Sequence, residues 1–324
     1  MRKETDESLI SVLMPIHGEA PFLEKTLESI RNQEAVEVEL VVVLDRPTPS
    51  LRAQIRLLLA NLKNTKLLLS PGSGISDALN FGLEHCSGKY VARIDSDDEM
   101  ITNRLIVQKK FLDGQPKISC VGTQIIKISE NHTIIGKSHY PHNSLLLSRI
   151  LRIRNCVAHP SVMYRCDEVQ RIGGYRSAFD GAEDYDLWIR LSRIGSIANL
   201  NEYLTKYRIW NGQVTEMYMS DKNSRAYRVQ LFAELEEVAP QYGLKLLSER
   251  LTEKDLIAAA EMYLRENSAL RWHRLRNVLR LNVSITRKNQ KLLVQSLPII
   301  FMCFLKLCLL SVPIWITGNR GNQK

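Results

Sequence analysis

Between Leu9 and about Ser119, short apolar runs of strand length alternate with longer segments of helical period, which restricts this stretch to βαβ units on a mostly parallel sheet. The runs Ile10–Ile16, Leu40–Leu44, Lys66–Leu69, Tyr90–Ile94 and Ile118–Gly122 predict strands. Between them, Pro21–Gln33, Leu51–Leu62, Ile75–Cys86 and Asn103–Leu112 predict helices. The first has Pro21 in its opening turn and Leu23, Leu27 and Ile30 on one stripe. The fold class is therefore α/β.

From Gly122 to Tyr207 the pattern is mixed, with strand-like runs at Gln124–Ile128 and Pro160–Tyr164 and a helix near Glu183–Ile194. An α/β domain over residues 1–214 is expected. Beyond Asn211 the strand signals vanish, and Asn223–Val238, Thr252–Arg265 and Ala269–Val283 predict helices. They give a helical basic region at 215–291, followed by an apolar tail at 292–324.

The net charge of +9 is concentrated near the end, where Arg265–Lys291 holds eight basic residues against Glu266 alone. Ala269, Trp272, Leu275, Leu279 and Val283 form an apolar stripe flanked by Arg271, Arg274, Arg276 and Arg280, which suits an anionic leaflet. The alternative is a helix packed on the α/β domain with a solvated basic face. Leu297–Ile316 has the length of a membrane span, but Lys306 near its middle and Pro298 and Pro313 at its ends favour shallow, monotopic attachment. No aromatic interleaving accompanies the charge, so nucleic acid is not an expected partner. Six cysteines without CxxC or zinc-type spacing, and a polar start at MRKETDESLI, predict a cytoplasmic protein on the inner face of the membrane.

The strongest chemical signal is Asp95-Ser96-Asp97-Asp98, placed where the strand Tyr90–Ile94 runs out. Ligands of open α/β sheets bind at the carboxyl ends of strands. Three carboxylates within four residues repel one another, and a hard divalent cation, Mn²⁺ or Mg²⁺ bridging to a diphosphate, relieves that repulsion. Acidic clusters after strands also serve as turns and helix caps. Asp45 ends the neighbouring run Leu40–Leu44 and would lie on the same sheet edge, which points to a nucleotide site.

The turn Pro71-Gly72-Ser73-Gly74-Ile75-Ser76-Asp77 departs from the dinucleotide fingerprint at its third glycine, where Asp77 stands. A second acidic group, Glu183-Asp184-Tyr185-Asp186, opens a helix, where the dipole favours carboxylates. Asp184 shares a face with Leu187, Trp188 and Leu191 and so points inward; Asp186 shares one with Arg190 and Arg193 and so meets solvent or a salt bridge. An inward carboxylate with no basic partner in its own helix fits a general base, the alternative being a helix cap. His159 is expected to be structural, and no HExxH, GxSxG or Walker motif occurs.

The ordered set Ser11–Ile16, Leu40–Asp45, Ala78–Leu83, Asp95–Asp98 and Glu183–Trp188 resembles family 2 glycosyltransferases. His159-Pro160-Ser161, Gly173-Gly174-Tyr175 and Tyr207-Arg208 are similar to further landmarks of that family, so the likeness spans about Ser11 to Val214. The resemblance implies a GT-A fold and inverting transfer from a nucleotide-diphosphate sugar, commonly UDP-linked with Mn²⁺ or Mg²⁺, to a glycan or lipid-linked glycan acceptor. By position it implies that Asp45 contacts the base, Asp95 the ribose or metal, and Asp97 the metal. It likewise gives Asp184 the role of base beside Glu183, with Pro15 and Ile16 lining the nucleotide pocket. A sugar hydroxyl is a poor nucleophile and a diphosphate a poor leaving group, and one base with one metal answers both needs.

The chain departs from the family pattern at Leu44, where an acid often precedes Asp45, and at Trp210, near where many members carry a His. Two other functions stay open on the sequence. A nucleotidyltransferase would need a basic glycine-rich loop where His17-Gly18-Glu19-Ala20-Pro21 stands, and a non-catalytic docking protein would have no use for Asp95, Asp97 and Asp184.

Overall fold

The computed structural model describes residues 6–211, apart from 61, 152 and 153, together with Val229. The expectations for the helical basic region, the apolar tail and Leu297–Ile316 lie outside the described residues. No helix among the described residues is long and apolar enough to cross a membrane.

The chain opens with β1 (Asp6–His17), α1 (Leu23–Arg31), β2 (Glu37–Asp45), α2 (Pro49–Leu59), β3 (Thr65–Leu69), α3 (Ile75–His85) and β4 (Gly88–Arg93). There follow β5 (Glu99–Met100), α4 (Arg104–Gly114), β6 (Ile118–Ser129), β7 (Ile134–Ser138) and α5 (Ser144–Leu151). The last described elements are β8 (Met163–Arg165), α6 (Cys166–Arg171), α7 (Glu183–Leu191) and β9 (Ser196–Ile209). One sheet takes the order β3-β2-β1-β4-β8-β6-β9-β5, with β7 on β6. Its first four strands are parallel, while β8 runs antiparallel to both β4 and β6.

Strand order reverses at β1, which pairs with β2 on one side and β4 on the other. Such a switch opens a crevice at the carboxyl ends of the strands. Pro15 widens it. The ladder between β1 and β4 ends at Leu13, whose carbonyl accepts from Ile94, so the missing N–H of Pro15 falls just past the last hydrogen bond on that side. On the other side β1 stays paired with β2 through His17, opposite Asp45.

The core lies on the parallel strands, where Ile10, Val12, Met14, Val42, Leu44, Tyr90 and Ala92 are fully buried beneath α1, α2 and α4. On the other face α3 packs so closely that a Cβ at Gly82 would stand 2.3 Å from Leu13 Cδ1. Leu44, where the family resemblance leads one to expect an acid, belongs to this core, and Asp45 ends the strand at the sheet edge.

Three elements differ from their sequence expectations. α2 begins at Pro49 because Thr48 caps it, accepting from Leu51 N at 3.2 Å with Pro at the first helical position. Ile118–Gly122 and Gln124–Ile128 are one strand, β6, with an irregular register against β9 around Gly122 and Gln124. Thr123, buried at that irregularity, bonds Thr205 across the strands at 3.1 Å. Only Met163–Arg165 of the third forms a strand, since His159–Ser161 coils into a 3-10 turn in which Ser161 Oγ returns to the Ala158 carbonyl.

Candidate active site

Five of the expected site residues, Pro15, Ile16, Asp45, Asp95 and Asp97, lie at the carboxyl edge of β1 and β2 or just after β4. Asp45 is 3% exposed; its Oδ2 accepts from the Gly74 amide at 3.1 Å and meets His17 Nδ1 at 3.0 Å. Pro15 and Ile16 are buried at the end of β1, opposite Val43 and Leu44. The glycine-rich turn thus leads into α3 beside Asp45. Gly74 has φ +100°, and a Cβ there would lie 2.4 Å from Asp180 Oδ2. Asp77, at the third-glycine position, accepts from the Ser73 amide and closes the turn on itself.

Past β4, the carboxylates of Asp95, Asp97 and Asp98 bring ligand oxygens within 4.8 Å of one another. Asp95 is ion-paired with the buried guanidinium of Arg93. Asp97 Oδ2 accepts from the indole N–H of Trp210 at 2.7 Å. Asp98, which sequence reasoning left without a role of its own, is fully buried. Its Oδ1 accepts from the Arg208 amide at 2.9 Å, while Oδ2 is buried with no hydrogen-bond partner. Burial, with the charges of Asp97 and Asp95, pushes its carboxyl well above the usual carboxylate range. An orphaned oxygen among three carboxylates is what a hard divalent cation satisfies, so the residues present fit Mn²⁺ or Mg²⁺.

Buried cations brace this turn. Arg208 donates from Nε to the Asp97 carbonyl at 2.9 Å and pairs through Nη2 with Glu99. Arg104 donates to the carbonyls of Arg93 and Pro160, each at 2.8 Å, tying α4 to the end of β4. From the opposite side, Thr26 of α1 holds the Ser96 carbonyl at 2.9 Å.

The second acidic group opens α7. Leu187, Trp188 and Leu191 are fully buried, and Asp184, on their face, is half-buried. Its Oδ2 accepts from Asn155 Nδ2 and its Oδ1 from the Tyr185 amide, both at 2.7 Å. Asn155 Oδ1 in turn accepts from Val157, which fixes the amide with its NH₂ toward Asp184. Asp186 takes the salt-bridge alternative: it is buried between Arg176 and Arg190. Glu183 is 8% exposed and accepts from the Gly181 amide at 2.7 Å.

Burial and then the Asp184 charge push the Glu183 carboxyl up to about 8, so at neutral pH Glu183 favours its protonated form. His159 lies 3.9 Å from Glu183 and 2.9 Å from the Tyr175 hydroxyl. Burial and the Arg93 charge hold its imidazole well below the usual range, so the contact with Glu183 is polar rather than ionic. His159 is thus held inside the fold, hydrogen-bonded to Tyr175.

The Glu183 proton has a consequence for stability. Between about 4.5, the ordinary glutamate value, and about 8 the folded chain holds a proton that the unfolded chain lacks. That contribution is complete below 4.5 and is lost as pH rises through 8. Glu183→Gln, which keeps the acceptor for Gly181, should flatten the decline in urea midpoint between pH 5 and 9. Equal slopes for the two proteins would refute the assignment.

One helix joins the two acidic groups. At its start Ser76 donates to Asp180, just before α7, and one turn on Asn80 bonds both the N–H and the carbonyl of Tyr175 at 2.7 and 2.8 Å. Gly174 lies against the Asn80 amide with φ +64°, which gives the Gly173-Gly174-Tyr175 landmark its physical reason. Arg93 completes the link, pairing with Asp95 and acting through its charge on Glu183.

A parallel β3-β2-β1-β4 edge with a carboxylate cluster after β4, continued by a mixed half-sheet, is the architecture of a GT-A-type fold. The fold is shared with S. aureus TarS residues 1–349 in complex with UDP-GlcNAc, at TM-score 0.56 and 20% identity over 79% of this chain and 71% of that one. It is shared also with the mannosyltransferase PcManGT from Pyrobaculum calidifontis in complex with GDP-Man and Mn²⁺, at TM-score 0.55 and 14% identity over 93% and 86%. The chain belongs to glycosyl transferase family 2, whose sequence profile matches residues 11–172. The O-antigen biosynthesis glycosyltransferase WbnJ of Escherichia coli is 30% identical over 228 residues, 69% of this chain and 89% of WbnJ. The amylovoran biosynthesis glycosyltransferase AmsE of Erwinia amylovora is 31% identical over 212 residues, 64% and 79% of the two chains.

Proposed function

We propose that this glycosyltransferase moves a sugar, with inversion, from a UDP-linked donor to a hydroxyl of a glycan or lipid-linked glycan in surface polysaccharide assembly. The observation that carries the reading is the pairing of two unlike acidic sites through α3 and Arg93. One holds an orphaned buried oxygen suited to a cation; the other sets a carboxylate beside a protonated neighbour. The naming of WbnJ and AmsE for O-antigen and amylovoran biosynthesis supports the polysaccharide acceptor, and the UDP-GlcNAc bound to TarS supports the donor.

In this reading Asp45 and the strand end Pro15-Ile16 seat the nucleotide, and Asp95, Asp97 and Asp98 hold Mn²⁺ or Mg²⁺. The cation, when bound, neutralises charge that develops on the departing diphosphate. Asp184, oriented by Asn155, accepts the proton of the acceptor hydroxyl as that oxygen attacks the anomeric carbon. Glu183 keeps a second negative charge away from the attacking oxygen, and the sugar never becomes bonded to the protein. Attack opposite the leaving group inverts the anomeric centre.

Calorimetric titration with UDP, GDP, CDP and dTDP tests the site. UDP should bind in the presence of Mn²⁺ and lose most of its affinity in Asp97→Asn. Metal-independent binding that Asp97→Asn leaves intact would overturn the metal assignment. No binding of any nucleotide would overturn the donor.

A further inference from the structure

The metal site carries a residue that the proposed reaction does not use. Trp210 stands just past β9, and its indole Nε1–H donates to Asp97 Oδ2 at 2.7 Å. Its ring is held in turn. It meets Phe22 edge-to-face, centroids 5.4 Å apart and planes at 76°. Phe22 has the Arg208 guanidinium 4.4 Å from its ring centroid, and Arg208 bonds the backbone of Asp97 and the side chain of Asp98. Trp210 thus holds the Asp97 carboxylate and Arg208 its backbone carbonyl, with Phe22 packed against both.

An indole N–H is a donor only and cannot bind a cation. Its bond occupies Asp97 Oδ2 in one direction and fixes the rotation of the carboxylate about its own axis, which sets where the other lone pairs point. Outer partners of this kind orient metal ligands, and losing one costs about 10–100-fold in metal affinity. Asp98 makes the orientation matter more: its orphaned oxygen is fixed by burial, so Asp97 must turn toward the same point to share a cation with it.

We infer that Trp210 is a positioning residue of the cation site, holding Asp97 in the orientation in which it and Asp98 converge; among the described residues the candidate ligands are all carboxylate oxygens. This rests on the reading of Asp95, Asp97 and Asp98 as a cation site. An all-oxygen set suits hard ions such as Mg²⁺ and Mn²⁺ and gives Co²⁺, Ni²⁺ and Zn²⁺ less of their usual advantage than a set with an imidazole would.

The test is a titration of the full chain with Mn²⁺ alone, followed by the electron paramagnetic resonance signal of the free ion, which needs no turnover. Trp210→Phe keeps the ring and its contact with Phe22 but loses the N–H. The expected result is an Mn²⁺ dissociation constant raised about tenfold or more. Because Trp210 touches a ligand of the ion, indole fluorescence should also be quenched by Mn²⁺ in the wild type and lose that component in the variant. Trp210→His restores a ring nitrogen and should shift preference from Mn²⁺ toward Co²⁺ and Ni²⁺. Equal Mn²⁺ affinity in wild type and Trp210→Phe would overturn the inference and leave the metal site standing. No Mn²⁺ binding by the wild type, or binding that survives Asp97→Asn unchanged, would overturn the metal site and the inference together.

Discussion

Asp184→Asn should lower the rate of sugar transfer by about 10²–10⁴-fold, the usual contribution of a positioned general base, with nucleotide affinity within twofold of wild type. The substitution is nearly isosteric, so the acceptor for the Tyr185 amide and the place beside Asn155 are kept. What disappears is the capacity to take a proton. A hydroxyl attacking an anomeric carbon becomes strongly acidic only as the new bond forms, so a carboxylate helps chiefly in the transition state, and its loss lowers kcat. Asp45 and the residues after β4 are linked to α7 indirectly, through elements such as α3 and Arg93, so binding of the nucleotide should be spared. Steady-state rates with calorimetric UDP affinity separate the two. A fall in rate below tenfold would reassign Asp184 to capping α7, the alternative that its bond to the Tyr185 amide keeps open. The same substitution removes the charge that helps to raise Glu183, whose carboxyl should then titrate lower.

The residues legible in the sequence are those whose signal is local. A strand that ends in an acid, as at Asp45 or Asp95, shows itself through hydrophobic periodicity and one following residue. The inward face of Asp184 follows from helical spacing alone. What could not be read comes from distant pairings. Asn155 and Asp184 are 29 positions apart, Arg208 and Asp98 110, and Trp210 and Asp97 113. Each pairing is set by sheet topology, above all by β9 returning beside β5 and β6 to bring Arg208 and Trp210 against the turn after β4. Burial of charge was equally hidden. Glu39 is the third residue of β2, in the run Glu37-Val38-Glu39 whose alternation suggests a solvent edge, yet it is 1% exposed and bonded to Lys66 at 2.7 Å. Arg104 opens a helix whose pattern gives no sign that its guanidinium is wholly buried among backbone carbonyls.

The same kind of hidden burial makes Asp186 the residue whose loss should damage the fold most. It is 2% exposed, and its Oδ2 accepts from Arg176 Nε and Arg190 Nε, each at 2.9 Å. Arg190 continues to the carbonyls of Ile172 and Gly174 at 3.0 and 2.6 Å, so the cluster fastens α7 to the segment that docks on α3. Asp186→Ala leaves two largely buried guanidinium groups without their counter-ion, a change that costs about 3–5 kcal/mol. Against a typical stability of about 5–15 kcal/mol, that is a large share. At about 2–4 °C per kcal/mol for a domain of this size, the melting temperature should fall by roughly 6–20 °C. Activity should fall with it even below the melting temperature, because Glu183 and Asp184 sit one turn away on the helix that loosens. Replacing all three charges together, with Arg176→Leu, Asp186→Leu and Arg190→Met, should cost far less than Asp186→Ala, since no unpaired charge remains buried. Urea denaturation of the single and triple variants decides the point. If Asp186→Ala loses less than 1 kcal/mol, water reaches the arginines and α7 is held by its apolar face, through Leu187, Trp188 and Leu191.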